Sequence, residues 1–305
     1  MSRAGVSVAS DTARDLLSSV SAVVGSGVEA RWIVAYAAGV TTSDLLTQLD
    51  TEVGPAVSDA VRDMVDRRVA GEPLQYVLGT WAFRTLELRV DPRALIPRPE
   101  TEQVVSAALD ELDAQHSRLG RRSPVVAADL GTGSGAIALS LAAEFEPDGL
   151  LDVWATDVSA EAIELLGQNL AALADRHPDA AARVRVARGS WFGALPVELA
   201  GRLTLVVSNP PYVSQEEWEE LDAVVRDREP KGALVPGPSG FEALDVLLHQ
   251  APLWLAPGGS LVVELAPGQA RTVKDNALEL GYENPEVRED LAGRPRMLVT
   301  RLPLA

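Results

Sequence analysis

The 305-residue sequence contains no cysteine and only three histidines, His116, His177 and His249, scattered along its length. The first absence excludes disulfide cross-links and thiolate metal sites. The second leaves a histidine-rich metal centre without ligands, so no metal is expected. No apolar run approaches the roughly 20 residues needed to cross a bilayer. The opening stretch, MSRAGVSVASDTARDLL, lacks an apolar block and already carries acidic residues, so a secretion signal is not expected. A cytoplasmic protein without membrane association fits these absences. Basic side chains are in deficit, with 27 Lys and Arg against 44 Asp and Glu, a formal charge of −17. Such a surface repels phosphate backbones and disfavours direct nucleic-acid binding, unless a local basic patch offsets it.

What is present is ordinary globular material: 47% of the residues are hydrophobic, interspersed with charge. The length exceeds that of a typical single domain, so two are expected. Residues 1–80 read as helices. Ala13, Leu16, Leu17 and Val20 fall at helical spacing between Val8 and Val24, and Glu29 to Ala38 forms a second segment that Gly39 stops. Thr42-Ser43-Asp44 suggests a cap for a segment holding Leu45, Leu46 and Leu49. From Pro55 to Val69 an apolar stripe runs through Val57, Val61, Met64, Val65 and Val69, ended by Gly71 with Pro73 just beyond. Core packing of a small helical domain accounts for these stripes.

Residues 81–100 change character. Phe83, Leu86, Leu88, Val90 and Leu95, broken by Asp91-Pro92, predict a short hairpin that links the domains. A proline-rich turn then leads into a helix from about Thr101 to Leu119, with an exposed loop over 115–124. From Val125 onward strands and helices alternate. The strands are expected at 125–130, 152–156, 183–188, 203–208, 260–266, 285–290 and 296–302, and the helices at 134–145, 160–174, 240–255 and 268–280. Alternation of this kind predicts an α/β domain whose mainly parallel sheet is covered on both faces.

Two elements carry chemistry. The first strand of the alternation ends at Asp129 and Leu130 and is followed by Gly131-Thr132-Gly133-Ser134-Gly135, then by a helix. Glycines there let the backbone turn sharply and come within contact distance of a ligand. The third glycine stands one position earlier than in the dinucleotide fingerprint, which suits a cofactor without a pyrophosphate. The next strand ends at Asp157, where a ribose-binding carboxylate is expected. Asp157 can instead cap the following helix, but Ser159 is available for that task. The second element is Asn209-Pro210-Pro211-Tyr212, at the end of the apolar strand 203–208. Two successive prolines fix φ and cannot donate main-chain hydrogen bonds, so the carbonyls of Asn209 and Pro210 are held rigidly. Asn209 adds a donor and an acceptor, and Tyr212 an aromatic face. Together they are suited to receive a planar NH₂ group and turn its lone pair towards a methyl donor. Methyl transfer from a sulfonium is an in-line displacement that needs position more than acid–base help, and no strongly placed general base is visible.

With these residues in view, the sequence resembles the peptide chain release factor glutamine methyltransferases, also called HemK-like. The resemblance rests on Gly71-Glu72-Pro73-Leu74-Gln75-Tyr76 with Gly79 and Phe83, on LIPRPETE from Leu95 to Glu102, and on DLGTGSGAIALSLA from Asp129 to Ala142. It continues through Asp157-Val158-Ser159, Gly189-Ser190-Trp191-Phe192, VSNPPYV from Val207 to Val213, Glu229-Pro230 and DLAGRPR from Asp290 to Arg296. Two stretches depart from the pattern, Pro236 to Phe241 and Ala266. The resemblance implies a small N-terminal helical domain that binds substrate, a hairpin linker, and a seven-stranded Rossmann-like methyltransferase domain over 101–305 whose last strand is antiparallel. It implies S-adenosylmethionine as cofactor, release factors as protein partners, and methylation of the glutamine side-chain amide in their Gly-Gly-Gln motif. Cofactor contacts carry over to Gly131, Thr132, Gly133, Ser134, Gly135, Asp157, Trp191 and Asn209. Substrate contacts carry over to Asn209, Pro210, Pro211 and Tyr212. Arg98 and Glu100 either lie at the pocket mouth or form an ordinary surface ion pair at a helix start. Rival readings are a ribosomal-protein glutamine methyltransferase, an amino-adenine or guanine methyltransferase on nucleic acid, and a cofactor-binding regulator without catalysis. The Arg98-Pro99-Glu100-Thr101 run, the acidic charge and the intact Asn209 and Tyr212 weigh against them in turn.

Overall fold

The computed structural model describes residues 12–120, 123–145 and 151–304. The expected start of the first helix at Val8 and the Arg121-Arg122 part of the expected loop lie outside them. The chain falls into two compact units, one ending at Thr80 and one beginning at Trp81. No helix among the described residues is long and apolar enough to cross a membrane.

The first unit is helical: α1 (Ala13–Val24), α2 (Gly27–Ala38), α3 (Thr42–Thr47), α4 (Pro55–Val69) and α5 (Leu74–Leu78). Gly25 and Gly39 close α1 and α2 in the left-handed conformation that glycine adopts without steric cost. The cap of α3 is Thr41, one residue before the expected run; its hydroxyl accepts the Asp44 N–H. Leu49 lies beyond that helix. In α4, Val61, Met64 and Val65 are buried whereas Val69 is exposed, because the stripe has rotated off the core by the last turn.

The second unit opens with the hairpin β1 (Thr80–Phe83) and β2 (Leu86–Arg89). It belongs to the larger unit's core rather than standing apart as a linker. Phe83 and Leu88 are buried there, and the turn residue Arg84 is paired with Glu144 at 2.6 Å. Then come α6 (Pro99–Leu119), β3 (Val125–Leu130), α7 (Ala136–Glu144), β4 (Leu151–Asp157), α8 (Ala160–Arg176), α9 (Pro178–Ala181), β5 (Val184–Arg188) and β6 (Leu203–Ser208). After these follow α10 (Gln215–Glu220), α11 (Ala223–Arg228), α12 (Glu242–Trp254), β7 (Leu255–Glu264), α13 (Ala270–Glu279), β8 (Glu283–Glu289) and β9 (Pro295–Arg301). Residues 115–119, covered both by the expected helix to Leu119 and by the expected loop, belong to α6. Gln115 and His116 are buried, three and four residues after Leu112 and so on the same face of the helix.

The strand order is β5-β4-β3-β6-β7-β9-β8. The first five run parallel and β9 is antiparallel to both neighbours. Alternation along the strands builds a core on each face. Val125, Ala127, Leu205 and Val207 join residues of α6 and α7 on one side. Ala128, Leu130, Leu203 and Val206 join residues of α12 and α13 on the other. The sheet is therefore the middle of three layers, and the carboxyl ends of β3, β4, β6 and β7 share one edge. Ligands of open α/β sheets bind at that edge, where the strand order reverses, here between β3 and β6.

Candidate active site

The loops after β3, β4 and β6 line a cavity of about 360 Å³ at this edge, a volume within the range of small-molecule sites. Gly131, Thr132, Gly133, Ser134, Asp157, Trp191, Asn209 and Pro211 all line it. Gly131 (φ 75°) and Gly133 (φ 56°) take left-handed conformations that keep the backbone bare beside the cavity. Gly135 has a different reason to be glycine. It does not line the cavity, and a Cβ there would sit 2.3 Å from Leu166 Cδ1 and 3.1 Å from Leu139 Cδ1. It is a packing glycine that lets the loop seat against α8.

Asp157 is tied at both oxygens. Oδ2 accepts the Gly133 N–H at 3.0 Å, and Oδ1 accepts the Ser159 N–H at 2.8 Å. Ser159 in turn caps α8 by accepting the Ala162 N–H. The carboxylate therefore fixes the glycine loop while keeping a free lone pair on each oxygen for a ligand. Trp191 holds a positive φ of 47°. This places its ring against the glycine loop, 3.6 Å from where a Gly131 Cβ would stand.

Asp129, at the end of β3, is fully buried beneath the glycine loop. Its Oδ2 accepts from Thr132 Oγ1 at 2.6 Å and from the Ala138 N–H at 3.0 Å. Oδ1 has no partner among the described residues. Burial, reinforced by the Asp157 charge, outweighs those two hydrogen bonds and raises its pKa to about 7.

Beside the glycine loop, Ser208 donates to the Leu130 carbonyl at 2.6 Å, locking the end of β6 beside β3. Asn209 follows, and its Nδ2 donates to Thr101 Oγ1 at 3.0 Å. Thr101, in the first turn of α6, donates to Glu264 Oε2 at 2.7 Å. Glu264 Oε1 accepts the Tyr212 hydroxyl at 3.1 Å. Burial pushes the Glu264 carboxyl above its ordinary range, and the Thr101 and Tyr212 hydroxyls and the Arg296 charge offset this only in part. Burial and the Glu264 charge also push the Tyr212 phenol far up, so it remains a donor. Pro210 and Tyr212 do not line the cavity; Tyr212 packs below it, against the core under α12.

Arg98 and Glu100 do not line the cavity, and they do not pair with each other. Arg98 is bound to Glu229 at 2.5 Å, and Glu100 to Arg294 at 3.1 Å. Glu229 also accepts the Ile96 N–H, so it anchors the Leu95–Thr101 stretch along the cavity. The two departing stretches meet at Gln269. Its Nε2 donates to the carbonyls of Tyr212 and Gly240, and its Oε1 accepts the Ala266 N–H. Gly240 is required there, since a Cβ would lie 2.7 Å from the Tyr212 carbonyl oxygen.

Residues 9–79 match the family described as PrmC N-terminal domain, and residues 111–227 the methyltransferase small domain. A release factor glutamine methyltransferase from Moorella thermoacetica is 40% identical over 270 residues, covering 88% of this chain and 89% of that one. One from Burkholderia pseudomallei is 37% identical, with 90% and 92% covered. The chain belongs to the release factor glutamine methyltransferase family. It is a methyltransferase by that membership, with the Asn209–Tyr212 element and the glycine loop on one sheet edge. Among solved structures, a release-factor-specific protein-(glutamine-N5) methyltransferase from Alicyclobacillus acidocaldarius is 25% identical. It matches 71% of this chain and 99% of its own, with a TM-score of 0.38.

Proposed function

We propose that this chain methylates the side-chain amide nitrogen of a glutamine in the Gly-Gly-Gln motif of peptide chain release factors, with S-adenosylmethionine as donor. The observation that carries the reading is that Asn209 and the glycine loop, at the ends of adjacent strands, line one cavity, so an amide held by one lies beside a ligand held by the other. The bare backbone at Gly131 and Gly133 and the free lone pairs of Asp157 fit a nucleoside cofactor: Asp157 would hold its ribose hydroxyls, and Trp191 would cover the adenine region. When bound, S-adenosylmethionine supplies a methyl group already activated by its sulfonium charge.

The protein's part is to hold the acceptor. The side-chain oxygen of Asn209, which lines the cavity, accepts one N–H of the glutamine amide. The carbonyl of Pro210, rigid because two prolines follow Asn209 although Pro210 lies outside the cavity lining, would accept the other. Positive charge grows on that nitrogen as its lone pair leaves conjugation, and these acceptors are already aimed at it. Tyr212, kept protonated, is no base; it braces Glu264 beneath Asn209. The amide proton leaves to solvent after methylation, when the nitrogen is a strong acid. Arg98 and Glu100 act at one remove, by fixing the Ile96–Thr101 wall.

Release factors are the proposed partners, contacted through the helical unit that ends at Thr80, which carries none of the site residues. The formal net charge of −17 favours a protein over a nucleic acid as substrate. Incubation with isotopically labelled S-adenosylmethionine and purified release factor, ribosomal proteins and nucleic acid, followed by mass spectrometry, tests this. Label on the Gly-Gly-Gln glutamine is the expected result; label only on a ribosomal protein or nucleic acid contradicts it.

A further inference from the structure

We infer that Thr101 and Glu264 are positioning residues that fix which end of the Asn209 amide faces the substrate. Four observations carry the inference. Glu264 sits at the end of β7, only 1% exposed, and receives hydroxyls on both oxygens, from Thr101 at 2.7 Å and from Tyr212 at 3.1 Å. Thr101 is buried too. Its oxygen lies 3.0 Å from Asn209 Nδ2. Both Thr101 and Asn209 line the cavity.

With Glu264 ionised, a carboxylate has no hydrogen to give, so the single hydroxyl hydrogen of Thr101, 2.7 Å from Oε2, points at Glu264. Thr101 then offers Asn209 only lone pairs, which suit the NH₂ end of its amide and repel the oxygen end. The amide oxygen is thereby turned away from Thr101.

This matters because an asparagine amide is nearly symmetric in shape, and rotation by 180° about χ2 exchanges donor for acceptor at little steric cost. For the amide-holding role proposed above, on which this inference rests, only one state is productive. The acceptor end takes an N–H of the substrate and supports the charge that develops there. The donor end would set an N–H against the substrate NH₂, and the approach would fail. The relay links three separate elements, the first turn of α6 and the ends of β6 and β7. It thus makes a local choice of amide orientation depend on the packing of the whole sheet edge.

A double-mutant cycle on the full-length enzyme tests the relay. Thr101→Val keeps the side-chain shape and removes the hydroxyl; Thr101→Ser restores it. Single-turnover methylation of release factor at saturating S-adenosylmethionine is expected to slow on the order of tenfold in Thr101→Val, and to recover in Thr101→Ser. Cofactor affinity, read by calorimetry, should change little. The double variant Thr101→Val/Asn209→Ala should be no slower than Asn209→Ala alone, because Thr101 acts only through Asn209. Losses that multiply would overturn the relay. A second readout needs no substrate. The side-chain amide NMR signal of Asn209, assigned by its disappearance in Asn209→Ala, should move in Thr101→Val and return in Thr101→Ser. An unmoved signal would also overturn the relay. If the parent enzyme leaves release factor unmethylated, the functional reading fails; if the parent is active while the losses multiply or the signal stays put, the relay alone fails.

Discussion

Arg98 and Glu229 are joined at 2.5 Å across 131 residues of sequence, the carboxylate almost wholly buried and the guanidinium a third exposed. The same carboxylate receives the Ile96 N–H at 3.2 Å, so one buried charge ties down the loop that forms a cavity wall. Glu229→Ala strips that N–H and Arg98 of their acceptor. A loss of stability of about 1–3 kcal/mol is expected, with weaker cofactor binding because Ile96 and Pro97 line the cavity. Urea denaturation and calorimetry read the two effects; a variant unchanged in both would show that the loop is held by other means.

Gly135→Ala tests the packing role of the third loop glycine. The added Cβ meets Leu166 at 2.3 Å with φ at 89°, so overpacking and backbone strain act together. A destabilisation of about 2–4 kcal/mol is expected. Gly167→Ala, which adds its Cβ into open space within helix α8, should be neutral or stabilising. Similar melting temperatures for the two variants would remove the packing explanation.

Asp157→Ala removes a carboxylate that both fixes the Gly133 N–H and offers lone pairs to a ribose. S-adenosylmethionine affinity should fall by about 1–3 kcal/mol, since hydrogen bonds to charged groups are at stake. Calorimetry giving the parent affinity would take Asp157 out of the site.

Asp129 gives a pH signature. Its pKa rises from 3.8 in the open chain to about 7 when folded. Between those values the unfolded chain has released the proton while the folded one keeps it. Its contribution to stability is therefore full below about pH 4, declines as pH rises, and is lost above 7. Asp129→Asn cannot ionise, yet still accepts from Thr132 and Ala138. Its melting temperature relative to the parent, measured without cofactor, should climb between pH 4.5 and 8 on the order of several degrees. A difference that is flat with pH would contradict the buried, protonated carboxyl.

The helical and strand pattern was legible where local signals agreed. Strand 203–208 is six apolar or small residues in a row, and α4 begins at a proline and stops near a glycine, so both match their expected bounds. The segments α10 and α11 lack an apolar stripe and are short, and nothing in periodicity marks them. Gln115 and His116 are polar, yet they are buried at the end of α6, His116 edge-on to Phe145 at 5.7 Å. Spacing from Leu112 was the available signal. In the site, the glycine loop, Asp157 and the Asn209 turn could be read because each is contiguous with its strand. Thr101 and Glu264 could not, because their bond spans 163 residues and the role of each exists only in the other's presence. Asp129 read as the end of a strand; its burial is a property of the folded sheet.

The central claim is that the Asn209 amide holds the reacting nitrogen, and Asn209→Asp tests it most directly. The substitution is nearly isosteric, but it sets a carboxylate oxygen against Thr101 Oγ1, whose hydrogen is already given to Glu264. It also adds a second negative charge beside a buried one. Single-turnover methylation of release factor at saturating S-adenosylmethionine, with circular dichroism to verify the fold, is the measurement. A folded variant slowed on the order of a hundredfold or more is the expected result. A folded variant turning over at nearly the parent rate would contradict the amide-holding mechanism.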